Sequence, residues 1–108
     1  FFYLEIIPML PPDEKYNLNI QIRKASCSIT ANIAEGHGRF HYQEAIQFYR
    51  ISRGSLSELK DHIISCHDVG FVCEKITKLG IGKIEKAKIS LNGFINYNRQ
   101  QLSTFKNE

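Results

Sequence analysis

Proline placement constrains this chain more than any other feature. All three prolines, Pro8, Pro11 and Pro12, fall within the first twelve residues, and none occurs from Asp13 to Glu108. A proline inside a helix removes a hydrogen bond and clashes with the preceding turn, so its absence leaves most of the chain open to long helices. Alternating strand patterns closed by Asn-Gly or Asp-Gly turns are missing, and the one Asn92-Gly93 pair lies inside a run of helical period. With 108 residues, 43% apolar and 23% charged, the chain can fill one core but hardly two, and it is too apolar for disorder. One domain over 1–108 is expected.

Four segments follow from the periodicity. The first, about Phe1 to Ile7, reads as the end of a helix stopped by Pro8. Pro11-Pro12-Asp13-Glu14 is then a helix start, with proline at the first helical position and acids in the first turn. Segment two runs from about Pro12 to Gly36. Leu18, Ile22, Ala25, Ile29 and Ile33 share one side of a 3.6-residue wheel, and Ile20, Cys27, Ala31 and Ala34 share the other. Gln21, Lys24, Ser28 and Glu35 lie in a strip between. An ordinary surface helix has one apolar stripe. Two opposed stripes, one built of small residues, point to a helix covered on both sides: by the core on one and by another subunit on the other.

Gly36-His37-Gly38 is expected to break this helix. Segment three, about His41 to Val69, places Ala45, Phe48, Tyr49, Ser52, Leu56, Leu59, Ile63 and Cys66 on one face. Gln47, Arg50, Gly54, Ser57, Glu58 and Asp61 lie opposite, and Gly70 ends the run. Segment four, about Val72 to Phe105, carries Cys73, Ile84, Ala87, Leu91, Phe94, Ile95, Leu102 and Phe105 on a broad face. Gly80 and Gly82 each weaken it by up to ~1 kcal/mol relative to Ala, so a kink or break is expected near Gly82. The long segments would span roughly 40–50 Å at ~1.5 Å per residue. Joined by short loops, they pack as antiparallel neighbours. The expected fold is an all-α, antiparallel up-down four-helix bundle with its first helix shortened.

Two runs carry a family resemblance. One is Gln21-Ile22-Arg23-Lys24-Ala25 followed by Ser28-Ile29-Thr30-Ala31-Asn32-Ile33-Ala34-Glu35-Gly36-His37-Gly38-Arg39, and the other is Gly54-Ser55-Leu56-Ser57-Glu58-Leu59. Together they resemble the four-helix-bundle family encoded by intervening sequences in bacterial large-subunit ribosomal RNA genes, to which the accessory variability protein of diversity-generating retroelements is related. The resemblance extends from about Phe2 to Leu102. The family pattern has further helix turns ahead of Phe1. With no initiator methionine and an opening inside the apolar run Phe1-Phe2-Tyr3-Leu4, the chain reads as a piece of a longer product. The resemblance implies a ring-like homopentamer. For the accessory protein it implies a basic surface that engages nucleic acid and a reverse transcriptase, and for most members no known biochemical activity.

Several polar residues carry signals of their own. Asn32 falls beside Leu18, Ala25 and Ile29 on the wheel, where an unsatisfied buried amide costs ~1–3 kcal/mol. Ser52 and Ser55 are its candidate partners across the bundle. Asn32, Glu35, Ser55 and Glu58 could line a ligand or catalytic site, or form a polar network that fixes helix register. The network reading is favoured because no nucleophile–base pair is present, so the chain reads as non-enzymatic. Gly36-His37-Gly38-Arg39 has only a superficial likeness to a phosphate loop: position 41 is His, no strand precedes it, and a Walker motif is absent. No cofactor is therefore expected. His62, Cys66, His67 and Cys73 lack the ligand pattern of a zinc site, and His37 and His41 are separated by a glycine break. Three cysteines cannot all pair within one chain, and no signal peptide is visible, which points to a reducing cytoplasm. No run reaches the ~18 apolar residues of a membrane span.

Charge is uneven. Residues 1–22 carry a net −2, residues 23–60 a net +3 and residues 61–108 a net +2, for +3 overall. Arg23, Lys24, Arg39, Arg50 and Arg53 are the expected nucleic-acid contacts, with Lys75, Lys78, Lys83, Lys86 and Lys88 as a second group. Lysine-rich faces are commonly just solvated. Assembly changes that: five copies would carry +15 and focus the field at a channel or rim. Contacts to RNA or DNA would be mainly to phosphate, salt-dependent and indifferent to sequence. Ile20, Cys27, Ala31 and Ala34 are the expected oligomer interface. The leading expectation is a non-enzymatic homo-oligomeric bundle that binds nucleic acid weakly or scaffolds a nucleic-acid enzyme. The alternatives are a purely structural protein-binding module and an enzyme with a pocket around Asn32, Glu35 and Glu58.

Overall fold

The helical period of the sequence becomes three long helices behind one short one. In the computed structural model, which describes residues 1–12 and 17–107 apart from the side chains of 105–107, the N-terminal segment forms a π-helical turn, Phe2–Ile6, and a 3-10 turn, Ile7–Met9. Helix α1 is Leu18–His37, α2 is Tyr42–Asp68 and α3 is Glu74–Asn107. No strand occurs among the described residues. The fold is an all-α four-helix bundle whose first helix is short. Pro8 lies inside the 3-10 turn instead of stopping the segment at Ile7, because a first-turn position has no backbone bond for proline to break. The expected start at Pro12 is replaced by Leu18; Asp13 and Glu14 of that start signal lie outside the described residues.

Helix α2 is the centre of the bundle. Both α1 and α3 pack along it, and the N-terminal segment touches α1 and α3 together. The expected α2 face is the observed core: Ala45, Tyr49, Ser52, Leu56, Leu59, Ile63 and Cys66 are buried. They meet Ile22 and Ala25 of α1, Ile84, Leu91 and Ile95 of α3, and Ile6 and Ile7 of the short segment in one apolar cluster. Past the end of the short segment, Phe2, Ile29, Leu56, Leu59, Ile84 and Ala87 line an apolar cleft of about 230 Å³. The molecule is a rod of 57 × 24 × 18 Å.

Glycines mark the departures from sequence expectation. Gly70 does end α2: it adopts φ +84°, and Phe71 N–H donates to Cys66 O while Gly70 N–H donates to His67 O. These two bonds form a Schellman cap, which requires the left-handed position glycine supplies. As expected, α1 ends within Gly36-His37-Gly38, at His37 with Gly38 as its C-cap, but Gly36 itself is the penultimate helical residue. It is buried inside the helix, and a Cβ there would stand 2.6 Å from Tyr49 Cε1, so glycine lets the two helices approach. There is no break at Gly82: α3 is one element over 34 residues. The core contacts of Ile84, Leu91 and Ile95 outweigh the local propensity loss. Gly80 is buried against the rings of Phe1 and Phe2, where the short segment lies close to α3. Cys73 is exposed and precedes α3, not part of its apolar face; the Phe105 side chain lies outside the described residues.

Candidate nucleic-acid interface

The seam where α2 meets α3 collects cations. Arg53 Nη1 donates to Asn92 Oδ1 at 2.8 Å, across 39 residues of sequence. Lys60 Nζ donates to Glu85 Oε1 at 3.0 Å, and Lys88 Nζ lies 4.0 Å from the same oxygen. The first two contacts cross between the antiparallel helices, and Lys88 and Glu85 both belong to α3. Arg50 stands one turn from Arg53 on α2, and Arg99 two turns beyond Asn92 on α3, so helical period places both along the same strip. Arg50 and Arg99 are exposed. The seam therefore carries Arg53, Lys60, Lys88 and Arg99, with Arg50 at its outer edge; Lys60 and Lys88 stand at Glu85, and Arg53 and Arg99 lie further along the two helices. The Lys60 hydrogen bond, then the Lys60 and Lys88 charges, hold the Glu85 carboxyl below the usual carboxylate range.

The structure does not bring the five expected contacts to one surface. Arg50 and Arg53 lie on the strip. Arg23 and Lys24 belong to α1: Arg23 donates Nε to Asn19 Oδ1 at 2.6 Å and stacks on the Tyr3 ring, and Lys24 is exposed away from α2. Arg39 is committed elsewhere, with Nη2 donating to Glu35 Oε2 at 3.0 Å, Glu44 at 3.9 Å and its guanidinium over Phe48. Of the second group, only Lys88 joins the strip. Lys78 pairs with Glu74, and Lys83 lies over the Phe1 ring. Sequence reasoning missed Lys60, Asn92 and Arg99 as members. Their only sequence signal is a helical offset that means something once the α2/α3 register is known.

The α1/α2 seam is of another kind. Ser52 Oγ donates to Ile29 O at 2.7 Å, and the Ser28 and Ser55 hydroxyls hydrogen-bond at 2.8 Å. Asn32 Nδ2 donates to Ser28 O at 2.8 Å and to Ser28 Oγ at 3.1 Å. Asn32 and Ser55 thus meet through Ser28, which the helical wheel assigns to the strip between the two stripes. Asn32 is half-buried, like its stripe neighbours Leu18, Ile29 and Ile33. Glu35 and Glu58 stand outside the cluster and exposed, Glu35 on Arg39 and Glu58 3.7 Å from His62 Nε2. No nucleophile and base come together here.

The small-residue stripe of α1 faces outward in a single chain. Ile20 is half-buried, and Cys27, Ala31 and Ala34 are exposed. Tyr3 reaches part of it, its hydroxyl 3.1 Å from Cys27 Sγ; that hydrogen bond, with burial, raises the phenol above its ordinary value. At the far end of α1, His37 Nδ1 and Tyr49 Oη share a 2.7 Å hydrogen bond, and Phe94 stacks edge-on against His37. Burial pushes the Tyr49 phenol upward, so it stays protonated at neutral pH. Among the described residues, no three His, Cys, Asp or Glu side chains stand close enough to hold a metal, and no helix is long and apolar enough to cross a membrane.

Against this geometry, the model of the 23S rRNA-intervening sequence protein family matches residues 2–93. No curated protein matches the chain.

Proposed function

The chain belongs to the 23S rRNA-intervening sequence protein family, and with that membership as premise we propose that it is a non-enzymatic, self-assembling helical scaffold that engages the phosphate backbone of nucleic acid. The observation that carries this reading is the α2/α3 strip. Five cations follow a two-helix ridge, two of them at Glu85, and Arg53 and Lys60 are held in place by Asn92 and Glu85. Such a ridge contacts phosphates without reading bases, so its affinity falls steeply with salt. Assembly through Ile20, Cys27, Ala31 and Ala34 would repeat the strip around a ring and concentrate its field. Those four residues form a continuous outward line of mostly small side chains on α1, the kind of surface that lets another helix come close.

The test is binding of RNA and DNA, single-stranded and duplex, measured at ~50 mM and ~200 mM salt. Binding at the lower salt that weakens by an order of magnitude or more at the higher is expected. No binding at the lower salt refutes the nucleic-acid part. In that case the exposed α1 stripe favours the second reading, a structural module whose partner is a protein.

A further inference from the structure

We infer that the α2/α3 strip is built for double-helical nucleic acid, gripped by its backbones, and not for a single strand. The inference rests on the reading of the strip as a phosphate-binding surface and narrows it to one substrate class.

Three features of the strip argue for this. First, it lacks a stacking platform. Proteins that hold single strands pair a basic groove with aromatic side chains on which successive bases stack. The exposed large aromatics among the described residues lie elsewhere: Tyr3 on the N-terminal segment, Phe40 in the α1–α2 loop, and Phe94 and Tyr97 on the other side of α3 from Asn92. Second, the cations stand on two rails. Arg50, Arg53 and Lys60 lie on α2, and Lys88 and Arg99 on α3. The axes of packed helices run ~8–10 Å apart, and the charges of the two rails come closest at Glu85, where Lys60 Nζ and Lys88 Nζ stand 3.0 and 4.0 Å from the same oxygen. Each rail is roughly 15 Å long at ~1.5 Å per residue. A single strand offers one line of phosphates, whereas a duplex offers two. Third, the strip is a ridge on a rod 57 Å long, with Arg53 and Lys60 pinned by cross-helix bonds. A rigid duplex meets such a ridge without losing the freedom a single strand would lose.

Glu85 has a role in this arrangement. It sits between Lys60 and Lys88 and would face a phosphate directly. It holds the two ammonium groups in position while limiting affinity. Asn92 Oδ1 accepts from Arg53, which leaves its amide N–H groups to donate to phosphate oxygens, or to ribose hydroxyls in RNA.

The experiment uses fluorescence anisotropy with the intact chain and labelled probes about two helical turns long (~21 bp): an RNA duplex, a DNA duplex of the same sequence and each single strand. At least one duplex is expected to bind tenfold or more tighter than its single strands, and the RNA and DNA arms show which backbone is preferred. Arg53→Ala and Arg50→Ala should each weaken duplex binding several-fold and reduce the slope of log K against log salt by about one. Glu85→Gln should tighten it and steepen the slope. Circular dichroism checks that each variant remains helical. Single strands binding as tightly as both duplexes overturn the inference while leaving the phosphate-binding reading standing. Unchanged duplex binding by Arg50→Ala and Arg53→Ala overturns the strip as the site. No binding by any probe overturns both.

Discussion

Replacing Gly36 with alanine decides whether the α1/α2 approach is as close as the structure shows. Gly→Ala in a helix interior ordinarily stabilises, by ~0.8–1.0 kcal/mol of helix propensity, an upper bound for Gly36, which is one residue from the end of α1. Here the new Cβ would stand 2.6 Å from Tyr49 Cε1 and 3.0 Å from Cδ1. Carbon atoms prefer ~3.5–4.0 Å, so the overlap is about 1 Å. The ring cannot yield cheaply. Tyr49 is 3% exposed, lies 5.4 Å centroid to centroid from His37 and 5.5 Å from Phe94, and its hydroxyl bonds His37. Overpacking of this kind costs ~1–3 kcal/mol. Losing the tyrosine–histidine bond adds ~0.5–1.5 kcal/mol. Against the propensity gain, the net is a loss of about 1–3 kcal/mol, a drop in melting temperature of roughly 5–20 °C for a domain near this size. Thermal and urea melts at one fixed protein concentration measure it, because assembly would make stability depend on concentration. Gly82→Ala is the control: a Cβ there would meet nothing within 4 Å, so the change should stabilise by up to ~1 kcal/mol. Shortening Tyr49 in the Gly36→Ala background should return part of the loss, beyond the sum of the single changes. A Gly36→Ala variant that melts at or above the parent refutes the argument.

Other outcomes follow from the same contacts. Leu59→Ala, at a 1% exposed position beside the apolar cleft, should cost ~2–5 kcal/mol in urea denaturation, toward the lower end because the cleft lets neighbours relax. Ala31→Arg should lower the mass seen in sedimentation while leaving the helical dichroism intact; a parent chain that sediments as a monomer removes the assembly proposal. The Glu85 carboxyl is held below its usual range, so any stability it contributes is present above the unfolded-state value and fades as pH falls through the folded one. An NMR titration should find it ionised at pH values where a glutamate in an unstructured peptide has taken up a proton. Lys60→Met should move it back toward the peptide value.

How much of this was legible depended on whether a signal was local. The boundaries of α2, expected at His41 and Val69 and observed at Tyr42–Asp68, were readable because a clean 3.6-residue stripe ends at Gly70. The end of α1 within Gly36-His37-Gly38 was readable too, but the packing role of Gly36 was not, because its partner Tyr49 comes from another helix. Gly82 misled for the opposite reason: the propensity loss is real, but the core contacts along α3 override it. Asn32 and Ser55 were paired from the wheel, but Ser28, which links them, was not, because its reach to α2 depends on how the two helices pack. The charged strip was the least legible. Arg53 meets Asn92 and Lys60 meets Glu85 across 39 and 25 residues, and charge counting along the chain contains no register.

The two seams of α2 differ in what their residues do for the fold, and this bears on how any binding result is read. On the α1 side, short hydroxyl side chains bond buried or half-buried groups, Ser52 to Ile29 O and Ser28 to Ser55, so truncating them leaves polar atoms unpaired. On the α3 side, adhesion comes from the apolar layer of Leu59, Ile84, Leu91 and Ile95, all 1% exposed. The cations lie at the rim above it, where exposed ion pairs add little to stability because solvent screens them. A combined Arg50→Ala, Arg53→Ala, Lys60→Ala variant should therefore stay folded and melt close to the parent while losing most of its affinity for phosphate backbones. Should that variant unfold, the strip would belong to the structural core of the α2/α3 contact, and its cations could not be assigned to a ligand.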